Sequence, residues 1–138
     1  ENGSIMVGTN DAGLNIYDPV TNSYQDLIHH PNNQNSLSHS SVRKIYQDSK
    51  YRIWIGTDGG GLNRYIPESR RFVHYMNNPN DTSSISSNSV RVIYEDNENR
   101  LWIGTRSGLN LFDPETGKFK RYVHKENDID GTLKTLRA

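Results

Sequence analysis

The tetrapeptide Trp54-Ile55-Gly56-Thr57 returns 48 positions later as Trp102-Ile103-Gly104-Thr105, and Met6-Val7-Gly8-Thr9 stands 48 positions before it. A fixed period of roughly 40 to 50 residues marks an array of like units, so the chain must fold as a row of repeated modules. The period also sorts the residues. What the copies share predicts scaffold, and what breaks the pattern marks where a site can lie.

After each Gly-Thr comes a Gly-rich turn, followed by Gly13-Leu14-Asn15-Ile16-Tyr17-Asp18-Pro19, Gly61-Leu62-Asn63-Arg64-Tyr65-Ile66-Pro67 and Gly108-Leu109-Asn110-Leu111-Phe112-Asp113-Pro114. Tyr24, Phe72 and Phe119 each lie five residues past the Pro and open an alternating run. Polar links of thirteen residues, His29 to Ser41 and Asn77 to Ser89, lead into Val42 to Asp48 and Val90 to Asp96. Every unit thus has four short runs of Val, Ile, Tyr, Phe and Trp punctuated by Gly, Pro, Asn, Asp and Ser, the pattern of four strands joined by turns. No stretch carries a helical apolar period.

Four antiparallel strands in a unit of this length form the blade of a β-propeller. The predicted fold is all-β. The units run from 1–41, a partial blade with its link, through 42–89 to 90–138. Because the first unit lacks its first strand, the chain is expected to hold eleven strands, about two and three-quarter blades. Propellers close with roughly four to eight, so the chain is expected to be a slice of a longer array. On its own it would self-associate to cover open blade faces, and a strictly monomeric mass would contradict that expectation.

The shared aromatics point to packing. A mid-strand Trp buries roughly 150 to 250 Å², so Trp54 and Trp102 are expected to lock one blade to the next, with the Gly two positions on allowing close approach. Turn chemistry is less uniform. Asn22, Arg70 and Gly117 follow the three Pro residues, and Gly3, Tyr51 and Asn99 precede the Trp positions. Asn and Gly accept a left-handed backbone; Arg70 suits it less well, and Tyr51 predicts a hairpin of a different build.

Sixteen basic residues balance sixteen acidic ones, which argues against nucleic acid and an anionic membrane as partners. The absence of Cys excludes disulfides and thiolate metal sites, and no run is long enough to span a bilayer. Gly56 to Gly61 has the glycines of a phosphate loop but joins two strands, without the helix terminus such a loop needs. His29 and His30 would point to opposite faces of a strand, and no metal site, cofactor or catalytic group is expected.

The run Leu101-Trp102-Ile103-Gly104-Thr105, Gly108-Leu109-Asn110-Leu111-Phe112-Asp113-Pro114 and Phe119, with its counterpart in the second unit, resembles the two-component regulator propeller repeat. Met6 for Trp, Ile66 for Asp and Tyr51 for Gly depart from it. The resemblance implies a non-catalytic part of the extracytoplasmic, periplasmic sensor propeller of a hybrid histidine kinase. It further implies an oligosaccharide ligand and signalling by rearrangement of a homodimer, with further blades of the same propeller as neighbours. A protein-interaction scaffold and a propeller lyase or glycosidase are the alternatives, though neither a nucleophile with its base nor a facing carboxylate pair is legible.

In a blade of this kind, the turn between the second and third strands and the link into the next blade share one propeller face. Pattern breakers there are Asn10, Asp11, His39, Asp58 and Arg106, and Asp11, His39, Asp58 and Arg106 are the candidate ligand contacts. Arg106 and Asp58 stand at equivalent positions with opposite charge.

Overall fold

The computed structural model describes residues 3–122. Its eleven strands are β1 (Ile5–Gly8), β2 (Leu14–Asp18), β3 (Ser23–Leu27), β4 (Val42–Gln47), β5 (Ile53–Thr57), β6 (Leu62–Ile66), β7 (Arg71–Tyr75), β8 (Val90–Glu95), β9 (Leu101–Thr105), β10 (Gly108–Asp113) and β11 (Lys118–Tyr122). They form three antiparallel sheets: β1-β2-β3, β4-β5-β6-β7 and β8-β9-β10-β11. The predicted count and grouping hold for the described residues, and each sheet is one blade. The third unit's link after β11 lies outside them.

Alternation along β5 shows how the blades stack. Ile53 and Ile55 turn toward the first blade and join Leu14, Leu37, Tyr65 and Phe72, whereas Trp54 turns toward the third and joins Ile93, Ile103 and Phe112. A strand buried on both faces reads as an unbroken apolar run, as Ile-Trp-Ile does. The glycine after it makes room. A methyl added at Gly56 would stand 2.6 Å from Val90 Cγ1 on the next blade, and one at Gly8 would collide with Val42 in the same way.

Both hairpins that precede a Trp strand are tied by one aspartate. Asp48 Oδ1 accepts from Lys50 N (3.0 Å) and Arg52 N (2.9 Å), and Oδ2 accepts from Arg52 Nε (2.6 Å) and Trp54 Nε1 (2.8 Å). Asp96 repeats the set with Glu98 N, Arg100 N, Arg100 Nε and Trp102 Nε1. The guanidinium then lies over the indole, 5.7 Å from its ring centre in each copy. This Asp-x-x-x-Arg-x-Trp lock escaped the sequence analysis, which read the Trp without its acceptor.

The lock also corrects an expectation. Tyr51 sits at φ 63 beside Asn99 at 61 and Gly3 at 79, so its hairpin has the same build as the others. A left-handed Tyr costs about 1–2 kcal/mol, which the four bonds to Asp48 offset together with Tyr51 N donating to Asp48 O (2.9 Å). Arg70 is left-handed as well, at φ 55, matching Asn22 at 53 and Gly117 at 73.

The long links are structural staples. Each curls through hydrogen-bonded turns, Ser36 N to Asn33 O (3.1 Å) and Ser84 N to Asp81 O (3.1 Å), then hands a carbonyl to the outer strand of the following blade, Asn35 O to Phe72 N and Ser83 O to Phe119 N (both 2.8 Å). Leu37 and Ile85 plug the blade junctions with no exposed surface. The buried Asn63 and Asn110 fix the links through Ser38 and Ser86: Ser38 N donates to Asn63 Oδ1 (3.1 Å) and Ser86 N to Asn110 Oδ1 (3.0 Å).

Candidate functional site

The links and the β5–β6 turn do meet on one propeller face. Asp58 N donates to Ser41 O (2.9 Å), while Gly59 N and Gly61 N both donate to Asn88 O (3.0 and 2.8 Å). Two of the candidate residues come together there. The His39 ring lies beside Gly59, within 3.1 Å of where a side chain would begin. Its Nδ1 accepts from Ser41 N (3.0 Å), so the neutral ring carries its proton on Nε2.

Asp58 is committed to the blade junction. Its Oδ2 takes Arg43 Nη2 (2.5 Å) from its own blade, and its Oδ1 takes Ser89 Oγ (2.7 Å) at the entry to the next. The Ser89 hydrogen bond and then the Arg43 guanidinium hold its carboxyl below the ordinary carboxylate range. The group is about one-third exposed, so this ion pair is worth little by itself; its consequence is to position the turn against Ser89.

Arg106 occupies the same place one blade on, with its N donating to Ser89 O (3.0 Å). Asp58 meets Arg43 at a bulge in the β4–β5 ladder, and the β8–β9 ladder carries the matching bulge at Arg91, between Val90 and Val92. No carboxylate lies within ion-pair distance of Arg91 or Arg106 among the described residues. Asp11 is exposed in the β1–β2 turn. The structure therefore gathers His39 and Asp58 at one junction and sets Asp11 and Arg106 in the corresponding turns of the flanking blades, where they do not join a common pocket.

A separate concavity lies elsewhere. A cleft of about 710 Å³ opens between the first two blades at the opposite end, lined by Met6, Ile16, Gln25, Gln47, Tyr51 and Arg70 among others. The signal for it was in the sequence, since Met6, Tyr51 and Arg70 are all places where the repeat departs from its own rule; the departures were legible, and their convergence was not.

Three groups of the described residues sort by chemistry. The Asp48 and Asp96 locks are structural, the Asp58 junction joins blades, and the cleft has open polar side chains. None of these holds three His, Cys, Asp or Glu side chains placed to bind a metal, and no helix among the described residues is long and apolar enough to cross a membrane.

Comparison with known proteins agrees with this architecture. Residues 36–59 and 84–107 match the model of the two component regulator propeller family. Each match begins inside the link, one residue after the Asn35 or Ser83 carbonyl, and ends in the β5–β6 turn or its counterpart, so it covers the end of the link, the first strand of the blade, the Asp lock and the Trp strand. The extracellular domain of a hybrid two-component system from B. thetaiotaomicron, BT3049, superposes with a TM-score of 0.78 at 28% identity, over 89% of this chain and 17% of that one. The extracellular domain of BT4673 from the same organism superposes over 86% of this chain and 23% of that one, with a TM-score of 0.48 at 20% identity. No curated protein matches the chain. The end of the link, the aspartate lock and the Trp-Ile-Gly-Thr strand are the parts of this chain that match the two component regulator propeller model, and the chain is an all-β array of blades similar to those of the BT3049 extracellular domain.

Proposed function

We propose that the chain is a non-catalytic part of the extracytoplasmic sensor propeller of a two-component signal-transduction protein. The observation that carries this reading is the repeat itself, matched twice in the chain and superposing on the extracellular domain of BT3049. The chain spans 17% of the length of that structure, so further blades of the same propeller complete the wheel, and the output lies in the parent protein. Blade junctions of this build suit a sensor. The second is closed by a few separable contacts, Asp58 with Ser89 on one face and Arg52 with Glu115 on the other, and a ligand that favours one arrangement over another shifts their population.

The ligand in this reading is an oligosaccharide, and the signal passes through rearrangement of a parent homodimer. Two measurements test it. An alkaline phosphatase fusion to the chain within its parent is expected to be active, reporting export; cytoplasmic retention would sink the extracytoplasmic assignment. A transcriptional reporter driven by the parent should respond to at least one saccharide and lose that response when the blades are deleted. If Asp58→Ala with Arg106→Ala leaves the response to every inducing sugar unchanged, the face carrying those residues is not the sensing surface.

A further inference from the structure

The first blade junction is built against the rules of the second, and every departure falls in one place. Met6 stands where Trp54 stands one blade on. Tyr51 and Arg70 hold left-handed conformations, φ 63 and 55, at positions that Asn and Gly occupy in the other units. The Arg70 turn has also lost its anchor: Asp18 Oδ1 accepts from Val20 N (2.9 Å) and Asp113 Oδ1 from Glu115 N (3.0 Å), whereas Ile66 has no oxygen to offer. Met6, Tyr51 and Arg70 all line the 710 Å³ cleft. Strain retained by bulky side chains at left-handed positions is a stability cost that the scaffold does not need, because Asn99 and Gly117 make the same turns without it.

The lining has a defined chemistry. Met6, Ile16, Ile45 and Ile53 form an apolar floor, and the Tyr51 ring is 63% exposed at its mouth. On the rim, the side-chain amides of Gln25 and Gln47 and the guanidinium of Arg70 make no hydrogen bond or ion pair among the described residues. At the second junction the place of Gln47 is taken by Glu95, whose carboxylate is closed off by Ser49 N (3.0 Å) and Ser49 Oγ (2.9 Å). One acid, Asp18, and one base, Arg70, leave the cleft without net charge. Planar amides and a guanidinium around an apolar floor and an exposed aromatic ring match a ligand with C–H faces and many hydroxyls.

We propose that this cleft binds a neutral, polyhydroxylated ring ligand of about disaccharide size, wedged between the first and second blades. The proposal rests on the sensor reading and moves its ligand site to the end of the blades opposite His39 and Asp58. Bound there, the ligand spans two blades, and its occupancy sets how tightly they close.

The test uses the 138-residue chain with cellobiose, maltose, lactose and sucrose as probes, read by thermal midpoint and by amide chemical shifts. At least one probe at tenfold over its Kd is expected to raise the midpoint by about 5 °C and to shift the amides of Gln25, Gln47 and Tyr51. Met6→Trp, which recreates the second junction in the first, should abolish both effects. Tyr51→Gly and Arg70→Gly should leave the unliganded midpoint equal or higher while weakening binding at least about tenfold, a trade-off that a purely structural residue does not show. A sugar response that survives in all three variants overturns the cleft and leaves the sensor reading standing. No response from any probe in the wild-type chain overturns the ligand class, with the export and reporter measurements still deciding the sensor reading.

Discussion

The two blade junctions are the same interface assembled with different care. At the second, Trp54 is fully buried, meets Phe112 edge-on at 5.2 Å and Tyr75 at 6.1 Å, and is held by the Asp48 lock. Arg52 reaches on to Glu115 of the third blade at 3.7 Å, and Ser49 grips Glu95. At the first, Met6 replaces the indole, Ile16 and Leu27 replace Arg64 and Tyr75, and a cleft remains where the aromatic cluster would be. The lesson is that one repeat supplies both a rigid joint and an open one, and that a few side chains decide which.

The largest break expected in this comparison comes from the indole. Trp54→Ala should lower the unfolding free energy by about 3–5 kcal/mol, and Met6→Ala by less than about 2 kcal/mol; equal losses in denaturant titrations would mean that the junctions do not differ as described. Next comes the buried acid. Asp48→Asn leaves Arg52 with only the exposed Glu115 at 3.7 Å as a charge partner, and removing one member of a buried pair costs about 3 kcal/mol. Asp96→Asn should cost less, because its partner Arg100 is half exposed.

The same acids set the pH response. Burial alone would raise the Asp48 carboxyl, but hydrogen bonds from Trp54 and Arg52 outweigh it and hold the group below 3.8; Asp96 is held lower in the same way. A carboxylate with a depressed folded pKa adds stability that is present above its unfolded value near 3.8 and is lost as pH falls through the folded value. The midpoint should therefore be insensitive to these acids from about pH 7 to 5 and fall below about pH 4, with part of the fall gone in Asp48→Asn. A midpoint that rose on acidification would contradict the lock.

Smaller effects sharpen the contrast. Gly56→Ala drives a methyl into Val90 and should cost about 1–3 kcal/mol, whereas at Gly104 the nearest atom is Val92 Cβ at 3.2 Å, within the same blade, so Gly104→Ala should cost less in the same titration. Smallest is Tyr51→Asn. It keeps the turn, relieves the left-handed Tyr, and is expected to stabilise by about 0.5–1 kcal/mol; a loss of stability would show that the Tyr51 ring supports the cleft wall.

Much of this was legible beforehand. The 48-residue period gave the number and grouping of the strands, and the Trp-x-Gly spacing gave a tight joint, as Gly8 with Val42 and Gly56 with Val90 show. The shared face of links and β5–β6 turns was also legible, since it follows from the up-and-down order. What failed was local: Tyr51 was expected to alter its hairpin, because propensity at one residue was weighed without the carboxylate three positions earlier that dictates the turn. The partners of Asp58 were not legible, since Arg43 and Ser89 reach it only in the folded junction.

Sequence by itself determined the module, because a period of hydrophobic and turn residues can satisfy backbone and core in few ways. Tertiary structure decided which departures belong together. Met6, Tyr51 and Arg70 are far apart along the chain and lie on three separate segments, and only the stacking of one sheet on another brings them to a single cleft. Their convergence depends on distance in space, which no single unit of the repeat contains.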